Sequence, residues 1–319
     1  MKNNSSSLKG KAYEYACLMA LYVEISRYRD VEILENSSFV ISKNHYLNDI
    51  SSDERRDMQL SAKVGVEAII QMEPKTIEKG CDVLELSIQP DNVARKFGDI
   101  RDVLVIRSGI SWQIGVSVKH NHSALKHSRL STSLDFGAAW LEKPCSKSYF
   151  SEIKPIFDEL EKLKASKVKW SQVPDKMSKV YVPTLDAFKK EFLRLVDDNQ
   201  SVEKLMSYLI ASNGQDYYKM IHNNNHTTAV LPFNVYGTLN KSAGVDKPLI
   251  AVPKISLPTR IIEMEYKEKS QTTLILTMNG GWSISFRLHS ASTIVEKSLK
   301  FDIQLQSKPE DILYINRTW

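Results

Sequence analysis

A carboxylate and a lysine lie close together in two consecutive predicted strands. Asp102 opens the first strand and Lys119 ends the second, with the segment Ser108–Ser111 between the strands. If that segment forms a loop of four residues, Asp102 stands opposite Ser117. Because side chains alternate along a strand, Asp102, Ser117 and Lys119 then share one face of the hairpin.

This face could hydrolyse a phosphodiester bond. The Asp102 carboxylate is a typical ligand of Mg²⁺, which neutralises a scissile phosphate and lowers the pKa of a bound water. The Lys119 ammonium can position that water and stabilise the charge that develops on phosphorus. The backbone carbonyl of Val118 could supply a further oxygen ligand. Serine is a weak magnesium ligand, so Ser117 implies that a second carboxylate comes from elsewhere.

Glu14 is the main candidate for that second carboxylate. It lies in a predicted helix whose apolar stripe includes Leu18 and Ile25. A carboxylate at the edge of an apolar stripe must be paired, bound to a metal or solvated at the rim. Glu24 and Glu67 are weaker alternatives.

Two other aspartates compete with Asp102 for the metal. Asp91 follows Pro90 after the preceding predicted strand, and this composition is typical of a turn. Asp99 is the closer rival, but its position predicts that it lies on the opposite face from Lys119 unless a bulge intervenes. We therefore favour Asp102.

Basic and imidazole side chains follow Lys119 closely. Those expected to contact DNA phosphates are His120, His122, Lys126, His127 and Arg129. Such clusters neutralise phosphates and release counterions. We expect Lys126, His127 and Arg129 to lie on a helix over Ser123–Phe136, next to the site.

The elements that must position these residues indicate an α/β fold. Helices are predicted over Gly10–Arg29, Asp53–Met72, Ser151–Lys164 and Thr184–Asp197, and strands over Val83–Ile88, Asp102–Arg107 and Trp112–Lys119. From Ala229 on, strands dominate, and Asn279-Gly280-Gly281 predicts a hairpin. The chain is therefore divided into a catalytic core at 1–200 and a β-rich part at 201–319, which is expected to contact DNA.

Composition narrows the class of protein. A hydrophobic fraction of 42% and a charged fraction of 25% are typical of a soluble globular protein. No segment reaches the roughly 18 consecutive apolar residues of a membrane span, and Met1–Gly10 lacks the apolar core of a signal peptide. We expect a cytoplasmic protein without a membrane partner. The three cysteines form no CxxC pair, which disfavours a structural zinc site.

The segments Gly98–Arg107 and Ser117–Ser131 resemble the HaeIII family of type II restriction endonucleases, within the PD-(D/E)xK nuclease superfamily. Gly10–Leu18 and His222–His226 fit the same resemblance. It implies a core with a mixed sheet flanked by helices, in which Asp102 is the family aspartate and Lys119 its lysine. Ser117 departs from the pattern, because it replaces the middle acid.

The resemblance also implies a reaction and its partners. The reaction is Mg²⁺-dependent cleavage of double-stranded DNA at GGCC, between the central G and C, to give blunt ends. A palindromic site requires a symmetric reader, either a homodimer or a monomer that acts twice, and of these we expect a homodimer. A cognate GGCC methyltransferase is implied as a functional partner that protects the host.

Two segments are candidates for reading the bases. Candidates are Asn223, Asn224 and Asn225, in the polar loop His222–His226, or the hairpin around Asn279. Ser117 in place of an acid also keeps two alternatives open. One is a DNA-binding protein with a nuclease-like fold that does not cleave, and the other is a structure-specific nuclease such as a junction resolvase.

Overall fold

The computed structural model describes residues 5–92, 98–121, 124–210, 214–307, 309 and 311–319. Its strands, numbered in chain order, are β1 (Val31–Leu34), β2 (Leu84–Ile88), β3 (Val103–Arg107), β4 (Trp112–His120), β5 (Ala124–Leu130), β6 (Tyr217–Asn223), β7 (Thr227–Phe233), β8 (Ile261–Tyr266), β9 (Thr273–Met278), β10 (Ser283–His289), β11 (Leu299–Ser307) and β12 (Ile315–Thr318). The α-helices are α1 (Ser5–Ile25), α2 (Ser37–Asn44), α3 (Ser52–Met72), α4 (Phe136–Leu141), α5 (Lys147–Ala165), α6 (Val182–Leu195) and α7 (Asn199–Ile210).

The chain divides into two compact units, each discontinuous in sequence. The first unit contains Met1–Ser123, Ala211–Ile255 and Asp311–Trp319, and the second contains Ala124–Ile210 and Ser256–Glu310. The sequence predicts a single division near residue 200. The difference arises because β6, β7 and β12, which follow that point, complete the sheet of the first unit.

The first unit is built on a mixed sheet of seven strands in the order β1-β2-β3-β4-β6-β7-β12. The pairs β1–β2 and β4–β6 are parallel, and the remaining pairs are antiparallel. Helices α1 and α3 pack against each other and against this sheet. The expected mixed sheet flanked by helices is therefore present.

Both predicted helices of the first unit are confirmed. In α1, the apolar stripe that includes Leu18 and Ile25 is fully buried. Helix α3 begins after the N-cap Ser51, whose hydroxyl accepts a hydrogen bond from the Glu54 amide, and it ends before Pro74.

The β3–β4 hairpin has the predicted register. Val103 pairs with Val116 and Arg107 pairs with Trp112, which leaves Ser108–Ser111 as the loop between the strands. Ser111 closes the loop in the left-handed conformation, at a φ of 51°. This register places Asp102 opposite Ser117.

The second unit contains an antiparallel sheet of five strands in the order β5-β11-β10-β9-β8. The hairpin predicted at Asn279-Gly280-Gly281 is confirmed, since it joins β9 to β10 and both glycines have a positive φ. Phe188 of α6 contacts Phe286 and Phe301 of the sheet, so aromatic rings form much of this core.

The prediction of a helix over Ser123–Phe136 is wrong. Residues Ala124–Leu130 form β5, an edge strand that pairs with β11, for example Leu130 with Leu299. The partner strand lies far along the chain, and local spacing carries no information about such pairing. Tertiary contacts therefore override the local helical pattern.

Two expectations about the class of protein can be compared with the structure. Cys17 and Cys145 are buried, Cys81 is exposed, and all three are free thiols. Within the part of the chain that the structure describes, no helix is long and apolar enough to cross a membrane.

A buried ion cluster anchors the end of β3. Arg107 donates two hydrogen bonds to the Asp82 carboxylate, both at 2.8 Å, and a third to Glu78. Arg29 contacts the same Asp82 carboxylate at 3.0 Å. The Arg107 hydrogen bonds hold the pKa of Asp82 well below its usual range. Both arginine side chains are only 2% exposed, whereas Asp82 is 15% and Glu78 is 28% exposed, so the two guanidinium groups in particular are shielded from water.

We expect Arg107→Met to lower the free energy of unfolding by about 3 kcal/mol, because removing one partner leaves buried charge uncompensated. Urea unfolding followed by circular dichroism measures the change. Lys63→Ala is the control, since Lys63 forms an exposed pair with Glu67 that should contribute less than about 1 kcal/mol. Equal losses in the two variants would contradict a structural role for the cluster.

Candidate active site

Three groups converge on one oxygen of Asp102. Its Oδ2 accepts hydrogen bonds from the Val118 amide at 2.6 Å, from Lys119 Nζ at 3.0 Å and from the Ser117 hydroxyl at 3.4 Å. The β3–β4 register produces this arrangement, because it places Asp102 beside the end of β4. The structure thus brings together Asp102, Ser117 and Lys119, as the sequence predicts.

Asp102 and Lys119 are accessible, whereas Ser117 is not. The Asp102 side chain is 23% exposed and that of Lys119 is 27% exposed. Ser117 is buried at 1% exposure, so its hydroxyl can orient Asp102 but cannot reach a large substrate. Asp102 and Lys119 are therefore the two groups of this hairpin that can meet a ligand.

Glu14 belongs to the same electrostatic environment. Its carboxylate, on α1, accepts hydrogen bonds from Lys11 Nζ at 3.0 Å and from the Ser42 hydroxyl at 3.5 Å. Burial raises the pKa of Glu14 to about 8, and the negative charge of Asp102 adds to the increase, while Lys11 and Lys119 oppose it. The negative charge of Asp102 thus disfavours the ionised form of Glu14.

This donor set fits a magnesium ion better than a zinc ion. No group of three histidine, cysteine, aspartate or glutamate side chains that could hold a metal occurs among the described residues. Structural zinc needs four such ligands, whereas Mg²⁺ takes one or two carboxylates and completes its shell with water and phosphate oxygens. A cation between Asp102 and Glu14 would also relieve their repulsion. Val118 meets the site through its amide, and a ligand role for its carbonyl stays a prediction.

Asp99, the rival of Asp102, forms a buried ion pair with Arg101. The guanidinium contacts both Asp99 oxygens at 2.7 to 3.1 Å, and the two side chains are 9% and 7% exposed. The Arg101 side chain lies across Gly115 of β4, where an added Cβ would be 2.2 Å from Arg101 Cδ. This geometry gives Asp99 a structural function.

The other carboxylates considered from sequence lie in different surroundings. Asp91 is half-exposed and accepts a hydrogen bond at 2.6 Å from Lys11, the same lysine that contacts Glu14. Asp91 is thus linked to Glu14 through Lys11, which its position in a predicted turn did not indicate. Glu24 pairs with Arg27, and Glu67 pairs with Lys63.

The histidine that follows Lys119 lies on the opposite face of β4 and stacks on another histidine. The rings of His120 and His222 are 4.7 Å apart and inclined by 11°. Burial lowers the pKa of His120 and lowers that of His222 to about 4. At neutral pH both imidazoles are uncharged, so His120, which is partly exposed, can contact DNA through hydrogen bonds but not through ionic attraction.

The basic residues of β5 belong to the second unit and have partners within it. Lys126 Nζ donates to the Tyr208 carbonyl at 3.0 Å and lies 3.6 Å from the centre of the Tyr208 ring. Burial lowers the pKa of Lys126 to about 8. Arg129 contacts Glu296 and the Ser298 hydroxyl. His122 and the side chain of His127 lie outside the described residues.

Asn223 is the last residue of β6, and Asn224 and Asn225 lie in the turn that joins β6 to β7. Asn224 accepts a hydrogen bond from the side chain of Asn121, the residue that follows β4. Asn223 and Asn225 both contact the Thr227 hydroxyl, at 3.2 and 2.7 Å. Asn224 and Asn225 are exposed. By contrast, the Asn279 side chain accepts hydrogen bonds from two backbone amides in the segment just before β8, which is typical of a structural residue.

Two residues of β6 extend the site beyond what the sequence analysis proposes. Lys219 pairs with Ser117 across β4 and β6, so it lies on the face that carries Lys119, and it is only 3% exposed. Tyr217 is also buried on this face, and its hydroxyl has no hydrogen-bond partner among the described residues. Burial raises the pKa of Tyr217 well above its usual range, and the charge of Asp102 contributes. One sequence signal exists, namely a lysine within an otherwise apolar strand.

Comparison with known proteins settles the family. The model of the HaeIII restriction endonuclease family matches residues 10–309. The type II restriction enzyme HaeIII of Haemophilus aegyptius is 39% identical over 320 residues, which cover 99% of each chain. This chain belongs to the HaeIII restriction endonuclease family. The resemblance seen in the sequence is thus confirmed. No solved structure is significantly similar to the chain.

We expect the stability of this family member to depend on pH through Glu14 in magnesium-free buffer. The folded-state pKa of about 8 exceeds the ordinary value of 4.5, so the contribution of Glu14 is full below pH 4.5 and is lost as the pH rises towards 8. Glu14→Gln should therefore be more stable than the wild type at pH 8, by at least about 1 kcal/mol.

Urea denaturation at several pH values measures this difference. Glu67→Gln is the matched control, since it removes an exposed glutamate from α3 of the same unit. If Glu14→Gln and the wild type lost stability in parallel between pH 4.5 and 8, Glu14 would not be the group whose ionisation causes that loss.

Proposed function

We propose that the chain is a Mg²⁺-dependent type II restriction endonuclease that hydrolyses double-stranded DNA at GGCC and leaves blunt ends. The observation that carries this proposal is the contact of Lys119 Nζ with Asp102 Oδ2, at 3.0 Å, on an accessible face of the central hairpin. Membership of the HaeIII restriction endonuclease family supports the type of reaction. The GGCC site follows from the family resemblance.

The fold supports a PD-(D/E)xK core. The proposed aspartate lies just before β3 and the proposed lysine lies on β4, its antiparallel neighbour in a mixed sheet, and α1 brings a glutamate to them. Ser117 occupies the position of the middle acid and is buried. We therefore assign the role of the second carboxylate to Glu14, which comes from a different element.

Asp102 and Glu14 would hold Mg²⁺, with the Val118 carbonyl as a further candidate ligand. When bound, the ion neutralises the scissile phosphate and lowers the pKa of a bound water. The three hydrogen bonds described above fall on Oδ2 of Asp102, so we assign its Oδ1 to the ion. Ser117 and the Val118 amide fix the orientation of this carboxylate.

Lys119 provides the mobile positive charge. Its ammonium is partly exposed, and it can turn from Asp102 towards an attacking water or a phosphate oxygen. A positively charged donor at that place stabilises the charge that develops during hydrolysis, and it needs no reorganisation of the backbone. Lys219 of β6 pairs with Ser117, two residues before Lys119, and its side chain lies on the same face.

The partners follow from the reaction. Double-stranded DNA is the substrate, and a palindromic site favours a homodimer in which each copy cuts one strand. The residues proposed to contact DNA are His120, His122, Lys126, His127, Arg129, Asn223, Asn224 and Asn225. A cognate GGCC methyltransferase would protect the host as a functional partner.

The direct test is digestion of a sequenced plasmid, with and without Mg²⁺, followed by sequencing of the ends. Discrete blunt fragments ending within GGCC are expected. Discrete cuts at another sequence would support nuclease activity and contradict the assignment of GGCC as the site. Intact DNA, from a preparation shown to be folded, would favour a DNA-binding protein that does not cleave, and cleavage of branched DNA regardless of sequence would favour a junction resolvase.

We expect Asp102→Ala and Lys119→Ala each to lower the cleavage rate at GGCC by about 100-fold or more, with DNA binding retained. Asp102→Ala removes the proposed metal ligand, and Lys119→Ala removes the ammonium. Single-turnover cleavage and a gel-shift assay in Ca²⁺ measure the two effects separately. Lys63→Ala, an exposed lysine of the same unit, is the matched control.

Two further aspartates test the assignment. Asp91→Ala should keep its activity, and Asp99→Asn should lose stability because it leaves Arg101 buried without a charged partner, yet should cut while folded. If Asp102→Ala remained active and Asp99→Asn were folded but inactive, the role of metal ligand would be reassigned to Asp99.

A further inference from the structure

The turn between β6 and β7 is joined directly to the strand that carries Lys119. The Asn121 amide donates to the His222 carbonyl at 2.8 Å, and the Asn121 side chain donates to Asn224. Asn121 lies two residues after Lys119, so displacement of the turn is transmitted to the end of β4. A group that fixes this turn therefore also fixes part of the proposed active site.

A stack of rings runs from β4 through β6 to the residue that follows β12. His120 stacks on His222, and His222 in turn stacks on Trp319, with ring centres 5.2 Å apart and an inclination of 27°. Tyr13 of α1 meets the His222 ring edge-on at 5.4 Å. His222 is thus enclosed by three aromatic groups.

Trp319 holds the turn at both of its ends. Its ring packs on His222 before the turn and lies edge-on to His226 after it, with centres 4.9 Å apart. Its amide donates to the His226 carbonyl at 3.1 Å. The register of β12 against β7, in which Thr318 pairs with Thr227, delivers Trp319 to this position.

Ring packing, rather than hydrogen bonding through His222 Nδ1 or Trp319 Nε1, supports these two rings. Within the described residues, neither His222 Nδ1 nor Trp319 Nε1 has a hydrogen-bond partner, although both atoms are buried. A stack held by shape depends on the area of each ring, and aromatic pairs favour such offset or edge-on arrangements. Removal of the indole would therefore leave the turn without its main support.

We propose that Trp319 is a specificity-determining positioning residue. Its ring packs on His222 and on His226, which lie at the two ends of the β6–β7 turn. The exposed amides of Asn224 and Asn225 in this turn therefore keep a fixed position relative to Lys119. Asparagine reads a base through paired hydrogen bonds that tolerate little displacement. The inference rests on the proposed function, because it assigns the reading of bases to this turn and the cutting of DNA to Lys119.

The test compares Trp319→Ala and Trp319→Phe with the wild type on two DNA duplexes. One duplex contains GGCC, and the other has one base pair of that site changed. For Trp319→Ala, the ratio of kcat/KM on the two duplexes should fall by at least about tenfold, mainly through kcat/KM at GGCC. Trp319→Phe keeps a ring between the two histidines and should retain most of the discrimination.

A stability-matched control separates positioning from general destabilisation. Leu84→Val removes a methylene from a fully buried side chain of β2, which pairs with β1 and does not touch the stack. All variants are assayed at a temperature where each is folded. Leu84→Val should keep the wild-type ratio between the two duplexes even if its melting temperature is lowered as much as that of Trp319→Ala.

The outcomes distinguish the inference from the function on which it rests. If the wild type discriminates between the duplexes and Trp319→Ala discriminates equally well, the inference alone is overturned. A loss of the ratio in Leu84→Val as large as in Trp319→Ala would also overturn it. If the folded wild type cuts neither duplex in Mg²⁺, the proposed function fails and the inference fails with it.

Discussion

The hydrogen bonds on Asp102 Oδ2 depend on the register between β3 and β4, and the candidate site depends on those bonds. Asp102 lies just before β3, and it meets the Val118 amide and Lys119 Nζ because the hairpin loop Ser108–Ser111 contains four residues. A shift of one residue would turn Lys119 to the opposite face of the sheet. Burial of the face opposite Lys119 makes such a shift costly, since Val105 and Val116 on that face are fully buried.

Electrostatics explains why this region suits a cation and a phosphate. Burial and the negative charge of Asp102 both raise the pKa of Glu14. Lys11 and Lys119 compensate only in part, as the pKa of Glu14 shows. The two carboxyl groups would hold a divalent ion, and Lys119, which is partly exposed, lies beside Asp102 where it could meet a substrate.

The parallel pair of β4 and β6 joins the candidate catalytic groups to the candidate recognition turn. Parallel neighbours need a long connection, and here the chain leaves β4, builds the Ala124–Ile210 part of the second unit and returns as β6. The return places Lys219 beside Ser117 and His222 beside His120. Trp319 then reaches the same end of the sheet, because β12 pairs with β7.

Local pattern was sufficient for the elements that carry the proposed chemistry. The alternation of β3 and β4 and the length of their loop predict that Asp102, Ser117 and Lys119 share one face, because strand geometry has a period of two. Only the tertiary structure decided the strand identity of β5, the place of Lys219 and the stack of His222 on Trp319. Each depends on pairing between segments far apart in the chain, and such pairing is selected by the packing of the whole unit rather than by neighbouring residues.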